Sequence, residues 1–328
     1  MKRSLAETYL THPTFLKRIC YYYINSIKCI KTIEENDRFV TCLTVWDNML
    51  VNGNREGKIK IHKYEKLICE IYAHKNTVMS LLVWDNFLVS GSRDKTIKIW
   101  KYDKDEMMIE KVNEIKIKYD ILSLCLWNDM LVIGDLSGCI KLFQFKDRLE
   151  CIKKIHDYVS YVSCLCVWNG YLISGGDCDK NIKIWDTGNI ELIEKNNQEI
   201  RMWKTQNEFI KILKETTWYA TCFYVWDDML VSGHRNGELR LCEREEIYHK
   251  EWKNINNIIK AHDSQIECLC EWNGLLVSGC SRGEIKLWNK KYECVKILRD
   301  HTGPVLCLIV WDRMLISGGC YGSIRFWE

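Results

Sequence analysis

The chain lacks the long apolar segments that mark membrane and secreted proteins. None of its apolar runs approaches the about 18–20 residues of a transmembrane helix. Its first residues, MKRSLAETYLTHPTFLKR, lack the apolar block of a secretory signal. The formal net charge is only +3 over 328 residues, which gives no bulk electrostatic reason to expect nucleic acid or a membrane as partner. We therefore expect a cytoplasmic protein, with the nucleus as the alternative.

Patterned metal and catalytic motifs are also missing. None of the 18 cysteines is spaced as CxxC, which excludes the usual zinc-finger spacing, and without a secretory signal we expect no disulfide framework. The sequence contains no GxxxxGK[ST] loop, HExxH motif, nucleophile elbow or EF-hand loop. We therefore expect no enzyme activity, no cofactor and no metal. Glu34-Glu35 and the cluster of Glu243, Glu245 and Glu246 are interpreted as solvated loop charges.

What the chain does contain is a repeat, in which a Trp is followed by two turn residues and a second apolar run. The seven copies are marked by Trp46, Trp84, Trp127, Trp168, Trp226, Trp272 and Trp311. They are spaced about 38–46 residues apart, with one longer gap before Trp226. This period is typical of propeller blades with four strands each. The sequence therefore predicts an all-β, seven-bladed propeller of antiparallel blades.

Within each repeat, Asp/Asn and Asn-Gly pairs predict a two-residue hairpin turn between the first two strands. A third strand follows, as in TIKIW (96–100), where the alternation of Ile with Lys predicts a half-exposed strand. Five cysteines share one position of the first strand and are interpreted as core packing. They are Cys42, Cys164, Cys222, Cys268 and Cys307.

The last repeat ends at Trp327-Glu328, immediately after its third strand. Residues 27–33 resemble the missing fourth strand, so we expect them to close the ring and cover its open edge. The chain is divided into an extension, 1–26, and a propeller, 27–328, with an insertion at 187–208 in blade four. Within 181–204, either NIKIW (181–185) or EIRMW (199–203) is the third strand of that blade.

The stretch SGSRDKTIKIW (90–100), preceded by Ala73-His74, resembles the WD-repeat family. The resemblance implies a buried hydrogen-bonded tetrad of His74, Ser90, Asp94 and Trp100, complete only in blade two. Blades six and seven keep His, Ser and Trp, and blade four has Tyr158 at the His position, with His156 nearby. These histidines are therefore interpreted as structural.

The short hairpins are similar to those of F-box/WD and RING-finger/WD ubiquitin-ligase receptors. That resemblance implies peptide binding on the top face of the propeller, where arginines of those receptors bind phosphate. The matching positions here are Arg55, Arg93 and Arg235, with Phe39, Tyr161 and Tyr219 beside them. The 26 residues before the propeller are too few for an F-box or a RING domain, so ligase activity is not expected.

The leading hypothesis is a non-catalytic scaffold or substrate-recognition module that binds an acidic or phosphorylated peptide. We expect a monomeric propeller working within a larger protein complex, with neither a membrane nor nucleic acid as its main partner. The alternative is an RNA-associated propeller of ribonucleoprotein assembly, motivated by the lysine-rich third strands.

Overall fold

The computed structural model describes most of the repeat region. The described residues are 24–35, 39–63, 66–106, 108–145, 148–156, 161–176, 182–185, 191–193, 202–204, 211–213, 219–243 and 257–328. Most of the expected extension at 1–26 lies outside these ranges, as do Tyr158, Glu245 and Glu246.

Seven four-stranded antiparallel sheets form the fold, and each sheet is one blade. Strands are numbered in chain order. The innermost strands of blades one to seven are β2 (Val40–Trp46), β6 (Val78–Trp84), β10 (Ile121–Trp127), β14 (Val162–Trp168), β20 (Ala220–Trp226), β24 (Ile266–Trp272) and β28 (Val305–Trp311). The second strands are β3 (Met49–Asn54), β7 (Phe87–Ser92), β11 (Met130–Asp135), β15 (Tyr171–Gly176), β21 (Met229–His234), β25 (Leu275–Cys280) and β29 (Met314–Gly319).

The third strands carry the Lys-containing motif. They are β4 (Lys58–Lys63), β8 (Thr96–Asp103), β12 (Cys139–Phe145), β16 (Ile182–Trp185), β22 (Glu238–Cys242), β26 (Ile285–Trp288) and β30 (Ser323–Trp327). The outer strands of blades one to six are β5 (Lys66–Tyr72), β9 (Met108–Lys116), β13 (Leu149–His156), β19 (Lys211–Leu213), β23 (Asn257–Lys260) and β27 (Cys294–Leu298), and β1 (Cys29–Glu34) is the outer strand of blade seven. The predicted propeller is confirmed.

The hairpin turns have the backbone that their residues favour. Asp47 and Asn48 have φ angles of 48° and 60°, and Asn169 and Gly170 have 50° and 81°. Two consecutive positive φ angles define the type I′ turn, whose twist matches that of the flanking strands. Six of the seven first hairpins have two consecutive positive φ angles at these turn residues, and in blade two only Asp85 has one. The turn residues therefore favour the register of most first hairpins.

The ring is closed by the N-terminal strand, as predicted. Strand β1 pairs antiparallel with β30, with Cys29 opposite Trp327 and Glu34 opposite Ser323. Beyond the ladder, the main-chain N–H of Lys28 donates to the carbonyl of Glu328 at 3.1 Å. Blade seven is thus built from both ends of the repeat region, and its third strand does not present an open edge.

Blade four resolves the two alternatives for its third strand. Residues 182–185 form β16 and pair with β15. Residues of the competing segment belong to β18 (Met202–Lys204), which pairs only with β17 (Glu191–Ile193) in a separate two-stranded hairpin. The outer strand of the blade is β19, which follows that hairpin. The inserted residues therefore lie between the third and fourth strands.

The core lies between the blades and consists of one apolar cluster per interface. The cluster between blades one and two, for example, joins Trp46 and Ile59 to Val78 and Leu88. The repeat tryptophans also join blades by hydrogen bonds, because an indole N–H donates to a hairpin-turn carbonyl of the next blade. These bonds run from Trp46 to Asn86, Trp127 to Gly170, Trp168 to Asp228, Trp272 to Arg313 and Trp311 to Asn48. These tryptophans therefore pack in the apolar core and also connect neighbouring blades by hydrogen bonds.

Candidate functional site

The tetrad residues of blade two form one hydrogen-bonded chain. Ser90 Oγ accepts from Trp100 Nε1 at 2.9 Å and lies 2.7 Å from His74 Nε2. The other ring nitrogen, His74 Nδ1, lies 3.0 Å from Asp94 Oδ2. Ser90, His74 and Trp100 are all buried. Their hydrogen bonds link the connection before β6 to strands β7 and β8, and the polar groups involved have partners.

Burial lowers the pKa of His74 to about 4, although the neighbouring Asp94 carboxylate opposes this change. For Asp94 itself, burial raises the pKa, but hydrogen bonds from Thr96 and Lys75 outweigh it and the net direction is down. The pair is therefore a neutral imidazole beside a carboxylate at neutral pH. Both groups are fully engaged within the blade, which suits a structural role.

The other blades keep some of the hydrogen bonds of this tetrad. The Ser–Trp bond recurs between Ser174 and Trp185, Ser278 and Trp288, and Ser317 and Trp327. In blade five the histidine comes from a different position, because His234, two residues after Ser232, lies 2.9 Å from its Oγ. His156 is exposed and contacts Cys139 Sγ of blade three, so it takes no tetrad position in blade four.

In blade one the interpretation of Glu35 as a solvated charge is wrong. Its side chain is only 4% exposed, and one carboxylate oxygen pairs with Lys60 Nζ. The other carboxylate oxygen lies 3.2 Å from His62 Nε2, which also lies 3.0 Å from Asn52 Oδ1. Sequence reasoning missed this network because the carboxylate and the lysine are 25 residues apart. Glu34 is exposed, as expected.

The prediction of half-exposed third strands is also wrong for several blades. The central basic residue is buried in four of them, namely Lys60, Lys141, Lys183 and Arg240. Lys141 pairs with the fully buried Asp135, and Arg240 Nη2 lies 3.0 Å from Glu238. In blade two, Lys98 Nζ donates to the Ala73 carbonyl at 2.6 Å. Alternating Lys here reflects internal pairing between strands and not a solvated basic face.

The repeated cysteines pack where inner strands of neighbouring blades meet. Cys42 Sγ lies 3.6 Å from the Val78 carbonyl, and Cys307 Sγ lies 3.6 Å from that of Val40. Burial raises the pKa of Cys42 to about 12. All cysteines among the described residues are free thiols. A buried, protonated thiol is a poor nucleophile, so packing explains this position.

The three predicted arginines occupy one equivalent position, at the bend that follows the second strand. The main-chain N–H of Arg93 donates to the Thr77 carbonyl at 3.0 Å, and that of Arg235 to the Tyr219 carbonyl at 3.1 Å. Arg55 directly follows β3 in the same way, and all three residues are exposed. Leu136, Ser281 and Cys320 take this position in blades three, six and seven.

The predicted aromatic residues lie directly before the inner strands, on the same face. Phe39, Tyr161 and Tyr219 precede β2, β14 and β20, and each is half-buried. The Arg55 guanidinium lies over the Phe39 ring, 4.8 Å from its centroid. Phe39 has a φ of 69°, an uncommon conformation for a bulky residue. The structure thus brings Arg55 and Phe39 into direct contact.

Arg235 lies near an acidic residue of the neighbouring blade. Glu267 on β24 is close enough for Arg235 to lower its pKa, although burial dominates and the net direction is up. Gln265 Nε2 also donates to Glu267 at 3.1 Å. The carboxyl group of Glu267 therefore lies beside this part of the face.

Within the described residues, no helix is long and apolar enough to cross a membrane.

Arg55, Arg93 and Arg235 form no salt bridge with other described residues, in contrast to the buried lysines of the third strands.

Comparison with known proteins supports the repeat. The WD domain, G-beta repeat model matches residues 65–101, 149–186, 253–289 and 292–328. Each matched segment ends with the third strand of a blade that keeps the Ser–Trp bond. No curated protein matches the chain.

Solved structures show the same architecture at low sequence identity. The WD40 β-propeller domain of Doa1 is 15% identical, with a TM-score of 0.72 over 92% of this chain and 97% of that one. The computationally designed Ika8 protein is 20% identical, with a TM-score of 0.66 over 92% of this chain and 99% of that one. At these identities the likeness concerns the fold alone. The chain is thus a seven-bladed propeller in which four segments match the WD40 repeat model.

Proposed function

We propose that this propeller is a non-catalytic recognition module that binds an acidic or phosphorylated peptide on the face that carries Arg55 and Arg93. The observation that carries the proposal is the placement of these two exposed arginines on adjacent bends. Neither guanidinium group forms a salt bridge with a described residue, so both remain available to an external anion.

Thr77 links the two bends. Its carbonyl accepts the main-chain N–H of Arg93 at 3.0 Å, and its hydroxyl donates to the Arg55 carbonyl at 3.2 Å. Because one residue holds both bends, the two arginine backbones are fixed relative to each other before a ligand arrives. A preorganised pair loses less conformational entropy on binding than two independent side chains.

Phe39 supplies an apolar surface beside the charge. Its half-buried ring lies under the Arg55 guanidinium, which orients the side chain and leaves the planar N–H edge for hydrogen bonds. Guanidinium groups bind phosphate and carboxylate in a bidentate manner, a geometry that lysine does not reproduce. An aromatic residue with an arginine is also the usual composition of an interface hot spot.

Arg235 and Tyr219 form a second, weaker part of this surface in blade five. The nearby Glu267 reduces the attraction for an anion there, so we assign Arg235 a supporting role. Tyr161 lies in blade four, on the same face. A peptide that crosses the face would place its anionic group at blades one and two and an uncharged side chain near Tyr219.

The test is direct binding of the full chain to arrayed peptides that carry phosphoserine, phosphothreonine or acidic residues, each beside its neutral counterpart. The hit is then measured by fluorescence anisotropy. We expect the double variant Arg55→Glu with Arg93→Glu to weaken binding at least a hundredfold, and Arg235→Glu about tenfold, since each charge-assisted hydrogen bond contributes about 1.5–3 kcal/mol.

The control is Arg313→Glu, a single charge reversal that matches Arg235→Glu in size, at an exposed hairpin turn on the opposite face. It should leave the affinity unchanged. Full binding by the double variant would overturn the site. Preference for a single-stranded RNA oligonucleotide over every peptide, with a steep salt dependence, would overturn the peptide class in favour of the RNA alternative.

A further inference from the structure

The tetrad of blade six contains a histidine with one unpaired ring nitrogen. His262 is 1% exposed, and its Nε2 lies 2.7 Å from Ser278 Oγ, as in blade two. Arg282 stands where blade two has Asp94, so no aspartate faces the other nitrogen. Within the part of the chain that the structure describes, His262 Nδ1 has no hydrogen-bond partner. A buried nitrogen without a partner is costly and calls for a physical explanation.

The two other tetrad histidines do not share this defect. His74 Nδ1 lies 3.0 Å from the Asp94 carboxylate, and His301 Nδ1 lies 3.3 Å from Ser323 Oγ. Blade six has Glu284 at the position of Ser323, but its Oε2 lies 3.8 Å from His262 Nδ1, beyond hydrogen-bond distance. Among the three histidines at this tetrad position, His262 alone has the unpaired nitrogen; His62 of blade one, at the Trp position, also has a buried Nδ1 without a partner among the described residues.

Two further donor atoms surround that nitrogen. The thiol of Cys280, which is 1% exposed, the carboxylate of Glu284 and the ring nitrogen of His262 all lie within 4.8 Å of one another. Cys280 is the last residue of β25, and Glu284 directly precedes β26, so one tight bend supplies both. The third donor comes from the connection before β24.

Blade seven shows that a side chain at the position of Cys280 points towards the imidazole of the tetrad histidine. Gly319 is the equivalent of Cys280, and a Cβ built on it would lie 2.6 Å from His301 Nδ1. A side chain at this position is thus directed towards the histidine edge. In blade six that side chain is a thiol, which is a metal ligand.

We propose that His262, Cys280 and Glu284 form a binding site for a divalent zinc-type cation. Imidazole nitrogen, thiolate and carboxylate are the three ligand classes that Zn²⁺ takes from proteins. Tetrahedral bonds of about 2.0–2.3 Å place neighbouring donors roughly 3.3–3.6 Å apart. The three donor atoms now lie within 4.8 Å of one another, and changes in side-chain conformation alone would bring them to the distances that a bound zinc ion requires. The fourth position is left for water or for a group from a partner.

Ser278 favours the tautomer of His262 that can bind a cation through Nδ1. Metal-bound histidines usually donate their other N–H to a neighbouring acceptor. Ser278 Oγ already accepts from Trp288 Nε1 at 2.9 Å, and a hydroxyl oxygen has a second lone pair for His262 Nε2–H. In this tautomer Nδ1 carries the free lone pair that a cation requires. Cys280 gives up its thiol proton on binding, so the affinity rises with pH.

Two cations compete for the carboxylate. Arg299 Nε lies 2.9 Å from Glu284 Oε1, and Lys286 Nζ lies 3.7 Å from Oε2. The Arg299 side chain is 65% exposed, so its pairing with Glu284 is screened and readily exchanged. Lys286 is held elsewhere, since its Nζ donates to the Ala261 carbonyl at 2.7 Å. Removal of Arg299 should therefore tighten metal binding.

The experiment titrates the purified full chain with Co²⁺, whose thiolate charge-transfer absorption reports a cobalt–sulfur bond, and then displaces it with Zn²⁺. We expect one tight site, loss of the charge-transfer band in Cys280→Ser, and at least tenfold weaker binding in Glu284→Gln. Arg299→Ala should bind about threefold to tenfold more tightly. Zn²⁺ should raise the melting temperature of the wild type but not that of Cys280→Ser.

The matched control is Cys320→Ser, which removes a buried thiol from the corresponding bend of blade seven. Its titration should equal that of the wild type. An unchanged band in Cys280→Ser, equal losses in both serine variants, or no tight site in the wild type would each overturn the proposal. If Cys280→Ser does not fold, as judged by circular dichroism, the opposite shifts of Glu284→Gln and Arg299→Ala decide the question.

Discussion

Trp311 Nε1 donates to the main-chain carbonyl of Asn48 at 3.3 Å, across 263 residues of sequence. This bond joins the inner strand of blade seven to the hairpin turn of blade one. It is the closing member of the series that links Trp46, Trp127, Trp168 and Trp272 to the next turn. The ring is thus closed twice, at its outer edge by β1 and near its centre by an indole.

Trp311→Phe should destabilise the propeller through the loss of this bond. We expect a loss of about 1 kcal/mol for the hydrogen bond, in addition to the loss of apolar contact. Trp226→Phe is the matched control, because Trp226 is equally a repeat marker but its indole donates to no described residue. Urea unfolding measures the loss in the free energy of unfolding for both variants, and the difference between the two losses gives the contribution of the hydrogen bond. Equal losses would contradict the assigned role.

Removal of residues 1–34 should expose the edge of β30, because among the described strands β1 is the one that pairs with this edge. We expect soluble aggregates or chain association, measured by size-exclusion chromatography and by light scattering during heating. The control is removal of residues 1–23, which leaves β1 intact. A monomeric protein of unchanged stability after the longer deletion would disprove the closure.

Glu35→Gln should remove acid sensitivity that the blade-one network creates. Burial raises the pKa of Glu35, but His62 and Lys60 outweigh this effect and the net direction is down. Since the folded pKa lies below the unfolded one, the contribution to stability is present above the ordinary value of about 4.3 and is lost as the pH falls below it.

At neutral pH the same substitution should cost about 2 kcal/mol, because Lys60 loses its close carboxylate partner while Glu70 lies farther away, at 3.6 Å. Denaturant unfolding at pH 7 and at pH 3.5 measures both effects. Glu34→Gln is the neighbouring control, since Glu34 is exposed on the edge strand. A similar loss in both variants would contradict the special role of Glu35.

The tetrad histidines should make the fold sensitive to mild acid. Burial lowers the pKa of His74 and of His301 from 6.5 to about 4 in each case. Because the unfolded chain then binds more protons, stability falls as the pH drops from about 6.5 to about 4. Each histidine contributes up to about 1.4 kcal/mol per pH unit in that window.

His301→Gln should reduce this slope by about one proton, whatever its effect on stability at pH 7. Urea unfolding at half-unit steps between pH 7 and pH 4 measures the slope. His156→Gln is the comparison variant, since it removes an exposed histidine that belongs to no tetrad. A wild-type stability that is constant across the window would disprove the assignment.

The sequence by itself determined the architecture. Seven Trp-marked hairpins with Asp/Asn turns predicted seven blades, and the missing last strand with its copy at 27–33 predicted the closure. These features were readable because strand period, turn residues and repeat spacing are local properties of a chain. The identity and equivalence of Arg55, Arg93 and Arg235 followed from the same alignment of repeats.

The tertiary structure alone decided what each polar residue does. Lysines that alternate with isoleucine look solvated in sequence, yet Lys60 and Lys141 are buried, because the carboxylates of Glu35 and Asp135 pair with them there. Likewise, only the fold could show that Thr77 joins two arginine bends, that Glu267 lies near a third, and that His262 faces Cys280 and Glu284. Pairing energies depend on three-dimensional distance and burial, and neither is encoded in spacing along the chain.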